Sequence, residues 1–328
     1  MTAAPHPLRS LTDHRAFGLT VAIMSAATFG ASGPFVKPLL NAGWSPTAAV
    51  AVRAGGAAVV LLPAVLFSLR GRLNVLGRTW RRIALYGIFA IAGAQLCYFA
   101  AVQRLPVGVA LLIEFTAPVL LVGLAWVRTR VTPHRLTLVG AVVSIAGLGL
   151  VLDLTGTTSL DPIGVLWALS ASVCVAAYFL LSAAPNEGLP PVALAGAGLV
   201  FATITLVAMG LVGVLPFDAV GGDVDLLGSM VPWYVPMGVI VVISTAFAYV
   251  TGITAVARLG ERVSSFVALL EVLFAVLLSW LLLDQTPSLL QAAGGTLIIG
   301  GVILVSQGQA RVALEAAAGL VPTGAGGS

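Results

Sequence analysis

The chain has 328 residues, of which 59% are hydrophobic and 9% charged, and its mean hydropathy is +1.08. A soluble domain is about 25% charged, so composition excludes both a water-soluble enzyme and a disordered chain. The formal charge of +4 comes with no basic groove or nucleic-acid motif, and Cys97 and Cys174 lie in apolar stretches without disulfide or metal-ligand spacing.

Crossing a bilayer takes about 20 mostly apolar residues in a helix. The pattern predicts an all-α membrane protein with ten transmembrane helices, at roughly 17–39, 46–69, 83–104, 106–127, 133–152, 162–182, 191–215, 233–257, 263–283 and 287–306. Residues 1–16 read as a polar tail, 17–152 and 161–306 as two five-helix halves, and 307–328 as a second tail. The first apolar stretch is too long for a cleavable leader and lacks an A-x-A-like site. Ser45-Pro46, Thr132-Pro133, Asp161-Pro162 and Thr286-Pro287 each pair a capping side chain with a proline that has no N–H to lose, and so predict helix starts.

With both termini cytoplasmic, Arg9, Arg15, Arg70, Arg72, Arg78, Arg81, Arg82, Arg128, Arg130, Arg135, Arg258, Arg262 and Arg311 all lie inside. Lys37 and Arg104 fall outside and Arg53 lies within a span. The positive-inside rule therefore favours that orientation for a multi-pass protein. The outer loops carry Asp153, Asp161, Asp218, Asp223, Asp225 and Asp284, and Trp44, Trp80, Trp126, Trp233 and Trp280 stand near span ends as an aromatic belt would.

The chain also matches itself. A shift of 154 positions carries Arg104-Leu105 onto Arg258-Leu259, Thr132-Pro133 onto Thr286-Pro287, Gly140 onto Gly294 and Gly147 onto Gly301. A repeat unit of five spans is odd, so the second copy enters the membrane from the opposite side. Inverted repeats of this kind build transporters whose binding site sits near the midplane between the halves.

The segments "YFAAVQRLPVGVALLIEFTAPVLLVGLAW" and "RLGERVSSFVALLEVLFAVLLSWLLLDQTPSLLQAAGGTLIIGGVIL" resemble the two EamA domains of the drug/metabolite transporter superfamily, over about residues 16–306. The resemblance implies a ten-helix inner-membrane carrier of small metabolites, often an exporter of amino acids or related compounds. "IEFTAPVLL" is similar to the corresponding part of threonine/homoserine exporters in that family. Many members carry Glu-Pro in both the fourth and ninth spans. Here the fourth has Ala117-Pro118 without the Glu, and the ninth Glu271-Val272 without the Pro.

Charge in hydrocarbon costs at least about 2.5–3.5 kcal/mol on insertion scales, which singles out Arg53, Glu114 and Glu271. Pro118 lacks the N–H that would bond to the carbonyl of Glu114, four residues earlier. One point in the membrane thus offers a carboxyl and a freed carbonyl, suited to a substrate ammonium or a proton; the competing reading is a structural carboxyl tied to a neighbouring helix. Glu271 enters from the opposite face, and Glu114 corresponds under the repeat to Ala268, one turn from Glu271. Two carboxylates at the midplane suit proton exchange, unless Glu271 only tethers the halves. Arg53 has three readings: a pair with Glu114 or Glu271, a substrate carboxylate site, or an outward snorkel. Phe29, Tyr98, Trp167, Tyr178, Tyr249 and Gln95 are candidate cavity lining, with plain packing as the alternative. Gly30, Gly33 and Pro34 read as a helix break beside the site, or else as close packing. Gly140 with Ser144 and Thr296 with Gly300 allow close helix contact, within a monomer or across a homodimer.

The rival classes have less support. Gly30-Ala31-Ser32-Gly33 has the G-x-S-G form of an intramembrane serine protease, but His6, His14 and His134 all fall outside the spans, and no HExxH or other metal cluster occurs. A channel would show a filter loop or rings of charge. The expected function is a secondary active transporter of a small metabolite, most simply an amino acid exported against protons by alternating access; the alternative is efflux of lipophilic cations. Expected partners are the substrate, protons and the lipid bilayer, with no cofactor, metal or nucleic acid.

Overall fold

A computed structural model describes residues 7–130, 132–152, 160–182, 188–259, 264 and 267–317. Asp153, Arg262, residue 263 at the expected start of the ninth helix, residues 1–6 and 318–328, and the side chains of Arg9 and Arg15 lie outside the described residues.

Among the described residues, eight helices are long and apolar enough to cross a membrane: Ala16–Asn41, Pro46–Ser68, Trp80–Arg104, Val107–Arg128, Pro162–Leu181, Pro191–Leu211, Tyr234–Leu259 and Leu289–Gly308. Two shorter apolar helices, Arg135–Val151 and Leu270–Leu283, take the fifth and ninth places in chain order. A helix satisfies its own backbone, which is what hydrocarbon demands. Val59, Phe67, Leu166 and Ile204 stay exposed on the outside of the bundle, an apolar surface made for lipid.

Helix extends into both segments that the sequence reads as tails. The first helix begins at Pro7 and the last continues to Ala317. Two of the four proline boundaries stand where expected. Ser45 Oγ accepts from the Ala48 N–H at 3.2 Å, and Asp161 Oδ1 accepts from the Ile163 N–H at 2.8 Å. The other two starts move two residues on, because a second capping side chain follows each proline. His134 Nδ1 accepts from the Leu136 N–H ahead of Arg135–Val151. Ser288 and Gln291 cap each other's N–H groups reciprocally at 3.1 and 3.2 Å ahead of Leu289.

The fold is all-α as expected, with one short addition. Asp223–Leu226 and Ser229–Pro232 form an antiparallel hairpin between the seventh and eighth helices, turning at Leu227 and Gly228, both with positive φ. The aromatic belt needs a correction. Trp80, Trp126 and Trp280 are about half exposed, whereas Trp44 is buried against Trp233, at 5.2 Å between ring centroids, and donates its indole N–H to the Val220 carbonyl.

The repeat becomes visible as packing. A Cβ built on Gly140 would come within 2.5 Å of the Gly301 carbonyl oxygen, and one on Gly301 equally close to that of Gly140. Gly147 and Gly294 show the same reciprocity at 2.6 Å. The 154-residue shift turns each of these contacts into the other, so the fifth and tenth helices cross antiparallel about a local two-fold axis. The halves also interleave. Gly18 of the first helix packs on Arg258 and Leu259, while Gly164 of the sixth packs on Arg104 and Leu105. Each half's first helix thus leans on the other half's third. A π-helical stretch occupies matching places in the third and eighth helices, Tyr86–Gly93 and Val239–Phe247.

One end of the bundle gathers the Arg104–Asp161 ion pair at 2.9 Å, Lys37 donating to the Leu105 carbonyl at 3.3 Å, and Ser45 exchanging hydrogen bonds with Asp218. At the other end Arg82 donates to the Leu181 carbonyl and Arg258 stands over the Phe17 ring at 5.1 Å. The C-terminal turns of the fourth and ninth helices are equivalent, with Arg130 and Asp284 both left-handed, so one turn carries opposite charge at opposite ends.

Candidate functional site

Among the described residues, the first, third, fourth and eighth helices lose their regular ladder part-way along, and Ser32, Gln95, Glu114, Ser244 and Thr245 sit at or beside those places. The first helix breaks at Ala31, between Pro7–Gly30 and Ser32–Asn41. Pro34 supplies no N–H to the Gly30 carbonyl. Gly30 allows the break to press on the ninth helix, since a Cβ there would sit 2.7 Å from the Glu271 carbonyl oxygen. Gly33 lies directly beneath the Tyr98 hydroxyl and Val107. The fourth helix breaks after Glu114, and resumes at Ala117 with Pro118 next. Thr116 bridges this gap, donating to the Ile113 carbonyl at 2.7 Å and sharing a hydrogen bond with Ser172 at 3.1 Å. The remaining two irregularities are the π stretches.

Arg53 of the second helix is 3% exposed, so it does not snorkel. Its Nε donates to Thr245 Oγ1 at 2.7 Å, Nη1 to Ser32 Oγ at 2.7 Å and to Gln95 Oε1, and Nη2 to the Ser244 carbonyl at 3.4 Å. Phe99 lies under the guanidinium, 5.4 Å from ring centroid to Cζ. Among the described residues no carboxylate stands within ion-pair distance of Arg53, so neutral acceptors hold the cation. These acceptors come from the first, third and eighth helices. Ser32 of the G-x-S-G motif therefore serves Arg53 as an acceptor.

Glu114 is buried and its Oε2 has no hydrogen-bond partner among the described residues. Glu271 is half-buried in the first turn of Leu270–Leu283. Glu114, Glu271 and Arg53 lie within electrostatic range of one another, with Tyr98 and Tyr249 alongside. Phe29 packs edge-on against Tyr249, with centroids 5.3 Å apart. Arg53, Gln95, Thr245 and Tyr249 line a cavity of about 10 Å³, near the space one water needs. A larger cavity, of about 220 Å³, lies between the fourth, ninth and tenth helices on the side of Val109 and Leu112, away from Glu114.

The structure thus brings together Arg53, Gln95, Tyr98, Glu114, Tyr249, Glu271 and Phe29, beside the breaks at Gly30 to Pro34 and Pro118. Trp167 is half-buried on the sixth helix and packs against the apolar core. Tyr178 pairs with Tyr86, 5.8 Å between centroids, and lies within electrostatic range of Tyr249 at the edge of this cluster. Phe99, Ser244 and Thr245 escaped the sequence reading, and Ser32 entered it only as part of the G-x-S-G motif. Their signal was present, because a buried arginine with five N–H groups requires acceptors from neighbouring spans. Gly140 and Ser144 are consumed by packing against the tenth helix, whereas Thr296 is exposed and Gly300 has open space beside it.

The EamA-like transporter family matches residues 16–153 and, a second time, 162–307. The chain belongs to that family. It is similar to the threonine/homoserine exporter RhtA of Escherichia coli strain K12, at 26% identity over 228 residues, 68% of each protein. The RhtA of Escherichia coli O157:H7 matches to the same extent. A protein of known crystal structure shares the fold at a TM-score of 0.56 and 19% identity, covering 92% of this chain and 99% of that one. EamA-like membership makes this a membrane transporter of small molecules. The paired glycine crossings show how its two copies of the domain meet.

Proposed function

We propose that this EamA-like protein is a secondary active exporter of the inner membrane. It moves a small amino acid or related metabolite outward by alternating access, in exchange for protons, with both termini cytoplasmic. The observation that carries this reading is that Arg53 and Glu114 lie within range of each other without pairing among the described residues. Arg53 rests on neutral acceptors and Glu114 presents a bare oxygen. A zwitterion satisfies both. Its carboxylate replaces neutral acceptors by a charged, bidentate one, and its ammonium meets Glu114. The central cavity is near one water in size, so loading requires the helices around Arg53 to part. Glu114 and Glu271 supply proton sites that substrate and proton occupy in turn. The similarity to RhtA supports an amino-acid cargo, and the arginines at the Arg82 and Arg258 end support that end as cytoplasmic.

One observation favours a second cargo. The Phe29–Tyr249 pair beside Glu271 also suits a lipophilic cation. The test is purified protein in vesicles, with radiolabelled amino acids and tetraphenylphosphonium compared with and without a pH gradient. Amino-acid flux driven by the gradient and lost in Arg53→Gln is expected. Flux of the phosphonium alone, indifferent to Arg53→Gln, overturns the zwitterion reading.

A further inference from the structure

The cavity of about 220 Å³ between the fourth, ninth and tenth helices is separate from the Arg53 cluster. It lies at the end of the bundle that holds the Arg104–Asp161 pair, since Gln285 in its lining binds the Val107 N–H, three residues after Arg104. Val109, Leu112 and Val276 supply apolar wall, and Asp284, Gln285 and Gln291 supply polar groups.

Each glutamine has one end committed. Gln285 Oε1 accepts from the Val107 N–H at 3.1 Å, and Gln291 Oε1 accepts from the Ser288 N–H at 3.1 Å. Only the oxygen of an amide accepts, so the nitrogen is the free end. Neither Nε2 has a hydrogen-bond partner among the described residues. Gln291 is only 8% exposed, and a buried donor left without a partner is costly. Asp284 has no ion pair among the described residues and is the only charge in the described lining. The fold itself does not demand these side chains, because the 154-residue shift sets Arg130, Val131 and Thr137 in the places of Asp284, Gln285 and Gln291.

We propose that this cavity is a binding site for a small amphipathic amine. Its cationic head meets Asp284, an uncharged oxygen acceptor beside the head takes the Gln285 and Gln291 amides, and its apolar body lies on Val109, Leu112 and Val276. Size sets the body: an apolar cavity of about 150 Å³ takes one benzene ring, so this one takes a ring with a short polar head. Charge sets the head: one carboxylate and two neutral donors select a cation over a zwitterion, whose own carboxylate would stand beside Asp284. A ligand seated here touches the fourth and ninth helices, which carry Glu114 and Glu271, and holds them together at this end. Occupancy therefore slows transport. That slowing rests on the function proposed above, whereas binding does not.

The test titrates phenylalaninol into the full-length protein in nanodiscs by calorimetry. Saturable binding is expected, weakened about threefold in Asp284→Asn, which removes one exposed charge, and about tenfold in Gln291→Leu. Arg53→Gln should leave it unchanged. Asparagine accepts the left-handed turn at 284, so Asp284→Asn decides even where Gln291→Leu does not fold. Absence of saturable binding, as when a lipid chain fills the cavity, overturns the site. So does binding that ignores Asp284→Asn or is lost in Arg53→Gln. Tighter binding of phenylalanine overturns the choice of a cation. In vesicles, phenylalaninol should slow amino-acid flux in the parent more than in Asp284→Asn, and flux unchanged at saturation overturns the effect on transport. If no tested compound is moved, the transport reading fails and the titration still decides the site.

Discussion

Ser144 donates its hydroxyl to the backbone carbonyl of Ile298 at 3.3 Å, and the two residues hold the same place in the two halves, 154 positions apart. A residue touching its own counterpart marks the local two-fold axis. Gly140 with Gly301 and Gly147 with Gly294 flank it on either side. The fifth and tenth helices thus form one antiparallel crossing, while the other helices carry the polar cluster. Four predictions follow from the contacts on these helices.

The crossing depends on missing side chains. Gly140→Val or Gly294→Val places a Cβ about as close as 2.5–2.6 Å to backbone oxygen, which cannot swing aside. The expected cost is about 1–3 kcal/mol of overpacking, seen as a lower melting temperature of the purified protein. Gly300→Ala, with nothing within 4 Å, should leave it unchanged.

Arg53→Gln removes the only charge that the first, third and eighth helices jointly hold at this point among the described residues. Binding of a zwitterionic substrate should weaken by about 2 kcal/mol or more, roughly thirtyfold. Equilibrium binding and flux measured on the same preparation check this. Arg53→Lys should restore little, because one ammonium cannot reach the same spread of acceptors.

Pro118→Ala supplies an N–H to the Glu114 carbonyl and invites the fourth helix to close its break at Phe115 and Thr116. The expected result is a protein at least as heat-stable as the parent with slower transport. Equal flux in both would mean that the break has no part in the cycle. In Glu114→Gln, by contrast, the response of flux to a pH gradient should disappear, and substrate binding should weaken because the ammonium loses its counter-charge.

At the loop end, the Arg104 hydrogen bond, aided by the Ile163 N–H, holds the Asp161 carboxyl below the usual carboxylate range. A depressed folded-state pKa stabilises above the unfolded value, about pH 3.9, and that support is lost as pH falls through the lower folded value. Asp161→Asn should therefore lower the melting temperature slightly at neutral pH, and the difference should vanish in strong acid and shrink in high salt.

What the sequence by itself determined is whatever is local or periodic. Apolar run lengths dictate membrane-crossing helices. The 154-residue echo dictates two copies of odd span number. Ser45 and Asp161 cap their helices because cap and N–H lie two or three residues apart. The break between Glu114 and Pro118 follows from one missing N–H. Tertiary structure alone decided the rest. Trp44 turned inward to meet Trp233. Arg53 found Thr245, 192 residues away, rather than a glutamate. The physical reason is that these helices are nearly uniform in hydropathy around their circumference, so composition does not say which face meets which neighbour. Shape settles that, through glycines that let backbones touch and irregular turns that expose a few polar atoms where a buried charge can use them.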